Sequence, residues 1–511
     1  MGISHAAGYL RHVEISITEF LCIAALTLVI FNVIKWYKDC TVYPPGPRGL
    51  PIFGNLYNVI KHGGLLEFYR SSQEKYGNVF TIQFAGVNYV VISGFSNMQY
   101  LLIKRGAITS SRNIDLMPPS YDIHKMKDRP GIMFSPNWKE VRHCAVRYLR
   151  GEGMGKSSLE SRVVQEAEMF CQTFIEPNLD EEMALYKYFK LASSNIIFSM
   201  IFGERFDYSD EKLLENNRMM EILFESNMTA VMSKNIPFAK WIPGDPFQHR
   251  LNSECLEATM KYFDGIVAHR RAKMVARSNP ALFVDNYLSH FMEMGTMTDK
   301  FLDRDMATTL MQLFGAGTDT SACYMNWAIL FMCCHPEVQE KVQQEVDSYI
   351  KCTGERPKYS ERSKLPYTEA TILEVLRVSM MLPTLLPHSL DKPVTIEGHV
   401  IPANTELIFN LQSVYKDPDV FENPEEFDPE RYLKGDIQTK AQYTKIAFGL
   451  GRRSCPGEPL ARMEMFLFLT TILERYNFKH TGQKPTTTGI CGTIHIPKQY
   501  SFICTRRNGN H

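Results

Sequence analysis

An apolar run opens the chain, extending from Phe20 to Ile34 with only two polar interruptions. Extended back to Ile15, it reaches about 20 residues, which is enough to span a bilayer although Glu19 is then included. Lysines and an aromatic pair follow at 35–38 and predict that the rest of the chain lies in the cytosol. A cleaved signal peptide is the alternative, but the run lacks a basic leading segment and a small-residue cleavage site. The pattern favours an uncleaved anchor, with a lumenal N-terminus at 1–19 and the anchor and its flank at 20–42.

The residues after the anchor predict a stiff hinge and then one large domain. Tyr43–Pro51 is rich in proline, and such segments act as semi-rigid spacers. From there to residue 511 no repeat, low-complexity segment or internal boundary is evident. The sequence therefore predicts a single domain over 43–511 with its hinge at 43–51.

Within this domain the hydrophobic pattern is mainly helical. Leu65–Tyr76 is typical of an amphipathic helix, and Val79–Phe84 and Tyr89–Ile92 flank a turn as a hairpin would. Helical periodicity dominates 137–350, whereas 394–409 is strand-like and punctuated by turns. We expect a mostly α-helical protein with a small β-rich region.

Composition narrows the class of protein. The chain has 511 residues, of which 44% are hydrophobic and 12% aromatic, so a large core is expected. The net charge is zero, and nothing in it suggests nucleic-acid binding. The 12 cysteines include no CxxC pair, which argues against a disulfide scaffold and for a reducing compartment.

One of these cysteines occupies an unusual setting. The segment Phe448–Gly457 is a glycine-rich loop that leads into an apolar helix. Pro456 suits the first helical position, which would place Cys455 at a helix N-terminus where N–H groups favour a thiolate. Gly451 would let the backbone approach a flat ligand, and Arg453 suits a carboxylate. The alternative is a buried, inert cysteine, which is the usual fate of an isolated one.

Two further patterns involve polar residues in apolar helices. Leu302–Cys334 is a long helical run with Gly317, Asp319 and Thr320 at its middle. Short polar side chains compete with the helix backbone, so the plain interpretation is a kinked core helix. Glu374 and Arg377 share a helix face, which alone would be an ordinary surface ion pair.

A basic stripe follows helical spacing near Trp138. His143, Arg147 and Arg150, together with Lys139, predict one positive face on the helix that also carries Arg142. A solvated face and a docking surface for an acidic partner are both consistent with this pattern.

The spacing F-x-x-G-x-R-x-C-x-G in Phe448–Gly457 resembles the haem-binding signature of the cytochrome P-450 (haem-thiolate monooxygenase) superfamily. The order E-x-x-R, then P-E-R, then Cys is similar to the same family, and so are W-x-x-x-R and A-G-T-D-T. The resemblance runs from about Tyr43 to Ile503 and is strongest to the microsomal animal subfamily that includes drug- and steroid-metabolising members. Asn410–Ser413 departs from the pattern, which puts the subfamily in doubt.

The resemblance implies a cytochrome P-450 fold that binds haem b through an axial thiolate. It implies that Thr320 holds oxygen or a water, that Asp319 supplies protons, and that Glu374, Arg377 and Arg431 form a structural cluster. Cys455 would ligate the iron, and the other residues expected around the haem are Arg453, Trp138, Arg142, His388, Phe448, Gly457 and Ala316.

The implied activity is insertion of one oxygen atom of O2 into a hydrophobic substrate at the endoplasmic reticulum membrane, on its cytosolic side. Electrons would come from an NADPH-dependent flavoprotein reductase, with cytochrome b5 as a further candidate partner. A haem-thiolate isomerase or dehydratase acting on lipid peroxides is the alternative, followed by a haem-based sensor or lipid-binding protein. Steroid, fatty acid and xenobiotic substrates cannot be ranked from the segments expected to line the pocket, which are Ile114–Ile123, Phe206–Ile236, 312–320, Thr384–Leu386 and Ile490–Ile494.

Overall fold

The computed structural model describes residues 16–50, 53–84, 86–113, 129–154, 157–233, 241–275, 282–295, 299–492 and 494–507. The predicted lumenal segment before residue 16, the pocket segment Ile114–Ile123 and residues 234–236 lie outside this part of the chain.

Helices make up most of the described residues, as the hydrophobic pattern predicts. The longer ones are α1 Ile17–Val42, α3 Leu65–Tyr76, α6 Trp138–Gly151, α7 Ser157–Phe170, α8 Tyr186–Phe202, α9 Glu211–Ser233, α10 His249–Val275, α11 Phe283–Met294, α12 Asp299–Cys334, α13 Pro336–Thr353, α14 Pro366–Ser379 and α17 Glu458–Arg475. The shorter ones are α2 Leu56–Lys61, α4 Phe95–Gln99, α5 Gly131–Phe134, α15 Gln412–Tyr415 and α16 Ile437–Thr444.

The strands are short and form small sheets. They are β1 Val79–Phe84, β2 Val87–Ile92, β3 Glu182–Met183, β4 His388–Ser389, β5 Val394–Ile396, β6 His399–Ile401, β7 Glu406–Phe409, β8 Tyr476–His480, β9 Gly489–Cys491, β10 His495–Pro497 and β11 Phe502–Arg506. One sheet has the order β1-β2-β7-β4, another the order β3-β11-β8, and β5-β6 and β9-β10 are two-stranded.

The predicted hairpin is present, although its second strand starts at Val87 rather than Tyr89. Its strands pair antiparallel with Val79 opposite Ile92, and β7 then adds in parallel to β2. On the far side β4 pairs antiparallel with β7, placing His388 opposite Leu407. β4 is an edge strand of this sheet, yet both of its residues are buried. His388 therefore lies in the interior, where the candidate site lies.

The 36-residue helix α12 runs through the centre of the core. It packs closely against α8, in which all but a few residues are buried. A Cβ on Gly317 would lie 2.5 Å from Ile197 Cδ1, so this glycine allows the two helices to approach. α12 ends before His335-Pro336, since proline cannot continue a helix and instead opens α13.

The N-terminal helix α1 covers the apolar run and continues to Val42, with Phe20 and Phe31 each 63% exposed. In the part of the chain that the structure describes, no helix meets the length and hydropathy expected of a membrane-crossing segment.

Candidate functional site

The cysteine loop is held by backbone geometry on both sides of Cys455. The Cys455 N–H donates to the Phe448 carbonyl at 2.6 Å, which closes the loop. Gly449 and Gly451 adopt φ of 73° and 69°, values that favour glycine. A Cβ on Gly451 would lie 2.1 Å from the Leu102 carbonyl oxygen. Gly451 therefore allows the cysteine loop to approach the helical turn Tyr100–Lys104 closely.

The helix after Cys455 starts later than the sequence predicts. α17 begins at Glu458, with Gly457 as its N-cap residue, so Pro456 lies in the preceding turn. The prediction was wrong because Pro459, in the first turn of α17, takes the role assigned to Pro456. The backbone N–H groups of Gly457 and Glu458 nevertheless point at the Cys455 sulfur and lower its pKa.

Burial is the larger effect and raises the pKa of the Cys455 thiol, while Arg142 acts in the opposite direction. Cys455 is nevertheless exposed. It is therefore accessible to a ligand and is not packed into the core like Cys144 or Cys171.

Cations converge beside this loop. The Arg453 guanidinium carbon lies 3.7 Å from the centre of the Trp138 ring, and its Nε donates to the Ser110 carbonyl at 2.9 Å. Arg142, one turn after Trp138 on α6, donates to the Ser454 carbonyl. The structure thus brings Trp138, Arg142 and Arg453 together around Cys455.

His388 completes the cluster with Arg112, which sequence reasoning missed. The His388 Nδ1–H donates to the Thr109 carbonyl at 2.6 Å. Burial and the nearby Arg112 and Arg453 charges lower the pKa of His388 to about 3, so the imidazole is neutral. Arg112 comes beside it because Ser111 bridges to Ser389, a contact that no local sequence pattern signals.

The cluster lacks counter-charge. Burial and the neighbouring arginines lower the pKa of Arg112 to about 10 and that of Arg453 to about 9. The Arg112 Nε is buried without a hydrogen-bond partner, and in the described chain no carboxylate pairs with Arg112, Arg142 or Arg453. Because arginine stays charged, these three positive charges suit the two propionates of haem and one thiolate. The residues present therefore fit a haem ligated by Cys455.

The middle of α12 presents an accessible face within the core. Ala316 is exposed and Thr320 half-buried, whereas Thr318 and Asp319 are buried. The Thr320 Oγ1 donates to the Ala316 carbonyl at 2.7 Å, one turn earlier. Because Ala316 and Thr320 are four residues apart, they share this face, and the turn of helix that they span is open to a ligand.

Glu374, Arg377 and Arg431 meet in a fully buried network. The Glu374 carboxylate accepts from Arg377 at 2.7 and 2.8 Å and from Arg431 Nε at 3.0 Å. Arg377 also donates to the carbonyls of Tyr415, Pro424 and Glu426. The interpretation as a surface pair is wrong, since Arg377 is 1% exposed and Glu374 fully buried.

The stripe of basic residues on α6 faces outward. Lys139, His143, Arg147 and Arg150 are all exposed, and the opposite side of the helix is buried. The predicted positive face therefore exists next to the residues that hold Arg453 and Cys455.

Part of the predicted substrate pocket can be placed. Leu386 and Ile490 are 44% and 56% exposed, and Phe206 and Leu313 are half-buried. Phe448 is 8% exposed, beneath the loop, and Gly457 faces the cysteine, since a Cβ there would lie 3.8 Å from the Cys455 sulfur.

The fold and this site define a haem-thiolate protein, and comparison with known proteins agrees. The family model for cytochrome P-450 matches residues 44–503. Cytochrome P-450 2D26 of Rattus norvegicus is 33% identical over 94% of this chain and 97% of its own. Cytochrome P-450 2B2 of Rattus norvegicus is 33% identical over 91% and 94%, and cytochrome P-450 2U1 of Mus musculus is 31% identical over 95% and 94%.

The chain belongs to the cytochrome P-450 family. It is an oxidoreductase of the monooxygenase type, whose cofactor is protohaem with a cysteine thiolate as axial ligand.

Proposed function

We propose that the protein is a membrane-anchored monooxygenase that inserts one oxygen atom of O2 into a hydrophobic substrate, using electrons from an NADPH-dependent flavoprotein reductase. The observation that carries the proposal is the setting of Cys455. Its sulfur faces backbone donors and lies near three arginines without carboxylate partners. Such a site is suited to an anionic, planar cofactor with a thiolate ligand.

Each residue of the site then has a definite role. Cys455 ligates the iron, and the N–H groups of Gly457 and Glu458 stabilise its thiolate charge. When bound, thiolate-ligated haem supplies the reductive cleavage of O2. The carboxylates of the cofactor would be held by Arg112, Arg142 and Arg453, the last of which is stacked on the Trp138 ring. His388, neutral and bonded to the Thr109 carbonyl, would line the same site.

Thr320 and Asp319 handle protons on the other side of the site. The Thr320 hydroxyl, anchored on the Ala316 carbonyl, has lone pairs left to order a water at the accessible face. Asp319, the residue before Thr320, is buried and can carry a proton from outside the core to that water. Its ion pair with Lys190, at 3.4 Å, keeps its charge compensated.

The Glu374 network has a structural role in this proposal. It joins α14 to Pro429–Tyr432, the segment that leads towards the cysteine loop. Fixing this connection fixes the position of Cys455 relative to α12. The network does not contact the reacting atoms.

The exposed stripe on α6 is the proposed docking surface for the reductase. Its cations lie on the helix that carries Trp138 and Arg142, and an acidic partner would be steered towards them. Cytochrome b5 is a second candidate donor for the same surface. Salt would weaken either encounter.

We place the protein at the endoplasmic reticulum membrane with its catalytic domain, 43–511, in the cytosol. The support is the apolar run of α1, which exposes Phe20, Leu26 and Phe31, followed by lysines at 35 and 38. A hydrophobic steroid, fatty acid or xenobiotic fits the apolar side chains at Leu386 and Ile490, and their chemistry does not rank the three.

Turnover tests the proposal against its alternatives. Purified protein with reductase, NADPH and O2 is incubated with a panel of steroids, fatty acids and xenobiotics, and products are identified by mass. A product heavier by one oxygen atom supports the monooxygenase. Conversion of a lipid peroxide without NADPH would support the isomerase or dehydratase, against which the presence of Asp319 and Thr320 already weighs.

A further inference from the structure

A lysine is buried in α8, the largely buried helix that packs on α12. Lys190 lies between Phe189 and Leu191 on α8, and its side chain is 8% exposed. A buried ammonium requires partners, because desolvating an unpaired charge is expensive. Its partners therefore indicate what it does.

Lys190 bridges two carboxylates that differ in their access to solvent. Its Nζ lies 3.4 Å from Asp319 Oδ1, and the Asp319 side chain is 6% exposed. On the other side, Nζ lies 3.1 Å from Glu221 Oε1, on α9, and that side chain is 45% exposed. The ammonium thus connects an acid beside Thr320 with an acid at the protein surface.

The surrounding contacts fix this geometry. The Lys190 Nζ also lies 4.8 Å from the centre of the Tyr186 ring, a turn earlier on α8. Ser194, a turn later, lies 3.2 Å from Thr318 Oγ1 and donates to Asn217 at 2.9 Å. These bonds hold α8 against α9 and α12 at the level of Asp319, so Lys190 has little freedom except between its two carboxylates.

We propose that Lys190 is a positioning residue for proton delivery by Asp319. The inference rests on the monooxygenase function proposed above. While Asp319 is ionised, Lys190 neutralises and orients it. When Asp319 takes a proton from solvent, the ammonium pairs with Glu221, and it returns when Asp319 passes the proton to the water at Thr320.

A double-mutant cycle in the haem-loaded, full-length protein tests the coupling between the two residues. Lys190→Met keeps an unbranched side chain of similar length, and Asp319→Asn keeps the shape of the acid. Each is expected to lower Tm, because each breaks the buried ion pair between Lys190 and Asp319. The double variant is expected to lose clearly less than the sum, and Lys190→Arg to restore most of Tm. Additive losses would overturn the inference, whether or not the protein turns over.

The division of NADPH electrons between product and peroxide tests the positioning role of Lys190. In Lys190→Met, a larger share of NADPH is expected to end as peroxide, and product formation to fall at least about tenfold, since positioned proton transfer is typically worth about 10²–10⁴-fold. Glu221→Gln should give a smaller change in the same direction, whereas Glu215→Gln, an exposed position on the same helix, should give none. An unchanged peroxide fraction in Lys190→Met would contradict the inference. If the wild type consumed no NADPH with reductase, the proposed function would fail, while non-additive Tm values would still identify the pair.

Discussion

The guanidinium of Arg453 lies over the indole ring of Trp138 at 3.7 Å from the ring centre. Arg453 lies two residues before Cys455, and Trp138 is the first residue of α6, which carries the exposed basic stripe. The stack joins the cysteine loop to that helix, beside the hydrogen bond from Arg142 to the Ser454 carbonyl. It also explains how a strongly basic group stays in place within a cluster of like charges, since an aromatic face attracts a cation.

Replacing Trp138 should loosen the cofactor. Trp138→Ala removes the face on which Arg453 rests, an interaction worth about 2 kcal/mol when desolvated, and we expect a lower haem-to-protein ratio after gel filtration. Trp138→Phe keeps a ring and should lose less. Trp241→Ala, at an exposed tryptophan, is the matched control, and an equal loss of haem there would count against the stack.

Breaking the Glu374 network should destabilise the whole domain. Arg377→Ala removes two of the three side-chain hydrogen bonds to the buried Glu374 carboxylate. Losing one partner of a buried ion pair typically costs about 3–5 kcal/mol, so a large fall in Tm or loss of folded protein is expected. Lys434→Ala breaks an exposed ion pair with Glu430 at 2.7 Å and should change Tm little. Similar Tm values for the two variants would contradict a structural role for the network.

Thr320→Ala should uncouple NADPH oxidation from product formation. NADPH oxidation is expected to continue while more of it ends as peroxide, because the hydroxyl that orders the water is gone. Thr308→Ala is a matched control on the same helix, where the Thr308 hydroxyl makes the same type of bond to the Arg304 carbonyl at 3.0 Å. If Thr320→Ala and the wild type formed peroxide in the same proportion, Thr320 would have no part in proton handling.

Glu464 should make stability depend on pH. Full burial raises its pKa from 4.5 to about 8, although the nearby Ser321 hydroxyl opposes this. The unfolded chain releases this proton near pH 4.5 while the folded protein keeps it. The neutral acid therefore favours folding fully below pH 4.5, and this advantage is lost as pH rises to about 8.

Glu464→Gln replaces the acid with a group that stays neutral. The Tm of the variant minus that of the wild type should therefore increase as the pH rises from 5 to 8. Glu340→Gln, at an exposed acid on α13, should show no such trend. If the difference in Tm between Glu464→Gln and the wild type stayed constant with pH, Glu464 would not have the raised pKa described here.

The sequence was sufficient to predict the main helices and strands and the site residues that belong to a local pattern. The helix Leu65–Tyr76, the hairpin and the long central helix follow from periodicity, and α12 begins at Asp299, three residues before the predicted start. The Cys455 loop was recognisable because its glycines and proline act locally. The start of α17 was misplaced because the choice between Pro456 and Pro459 depends on the turn that presents the sulfur.

Contacts between segments that are distant in the sequence could not be predicted from it. Arg112 belongs to the cation cluster only because β4 pairs near Ser111, and Lys190 reaches Asp319 only because α8 packs on α12. In each case the side chain has no periodic or motif signal, and its partner is set by the tertiary fold.

The most direct test of the central claim is the absorption spectrum of the reduced, carbon monoxide-bound protein. The account predicts a strongly red-shifted Soret band in the wild type and in Cys352→Ala, an exposed cysteine on α13. Cys455→Ala should lack that band. A Soret band at the position of histidine-ligated haem in the wild type, or an unchanged spectrum in Cys455→Ala, would contradict thiolate ligation by Cys455.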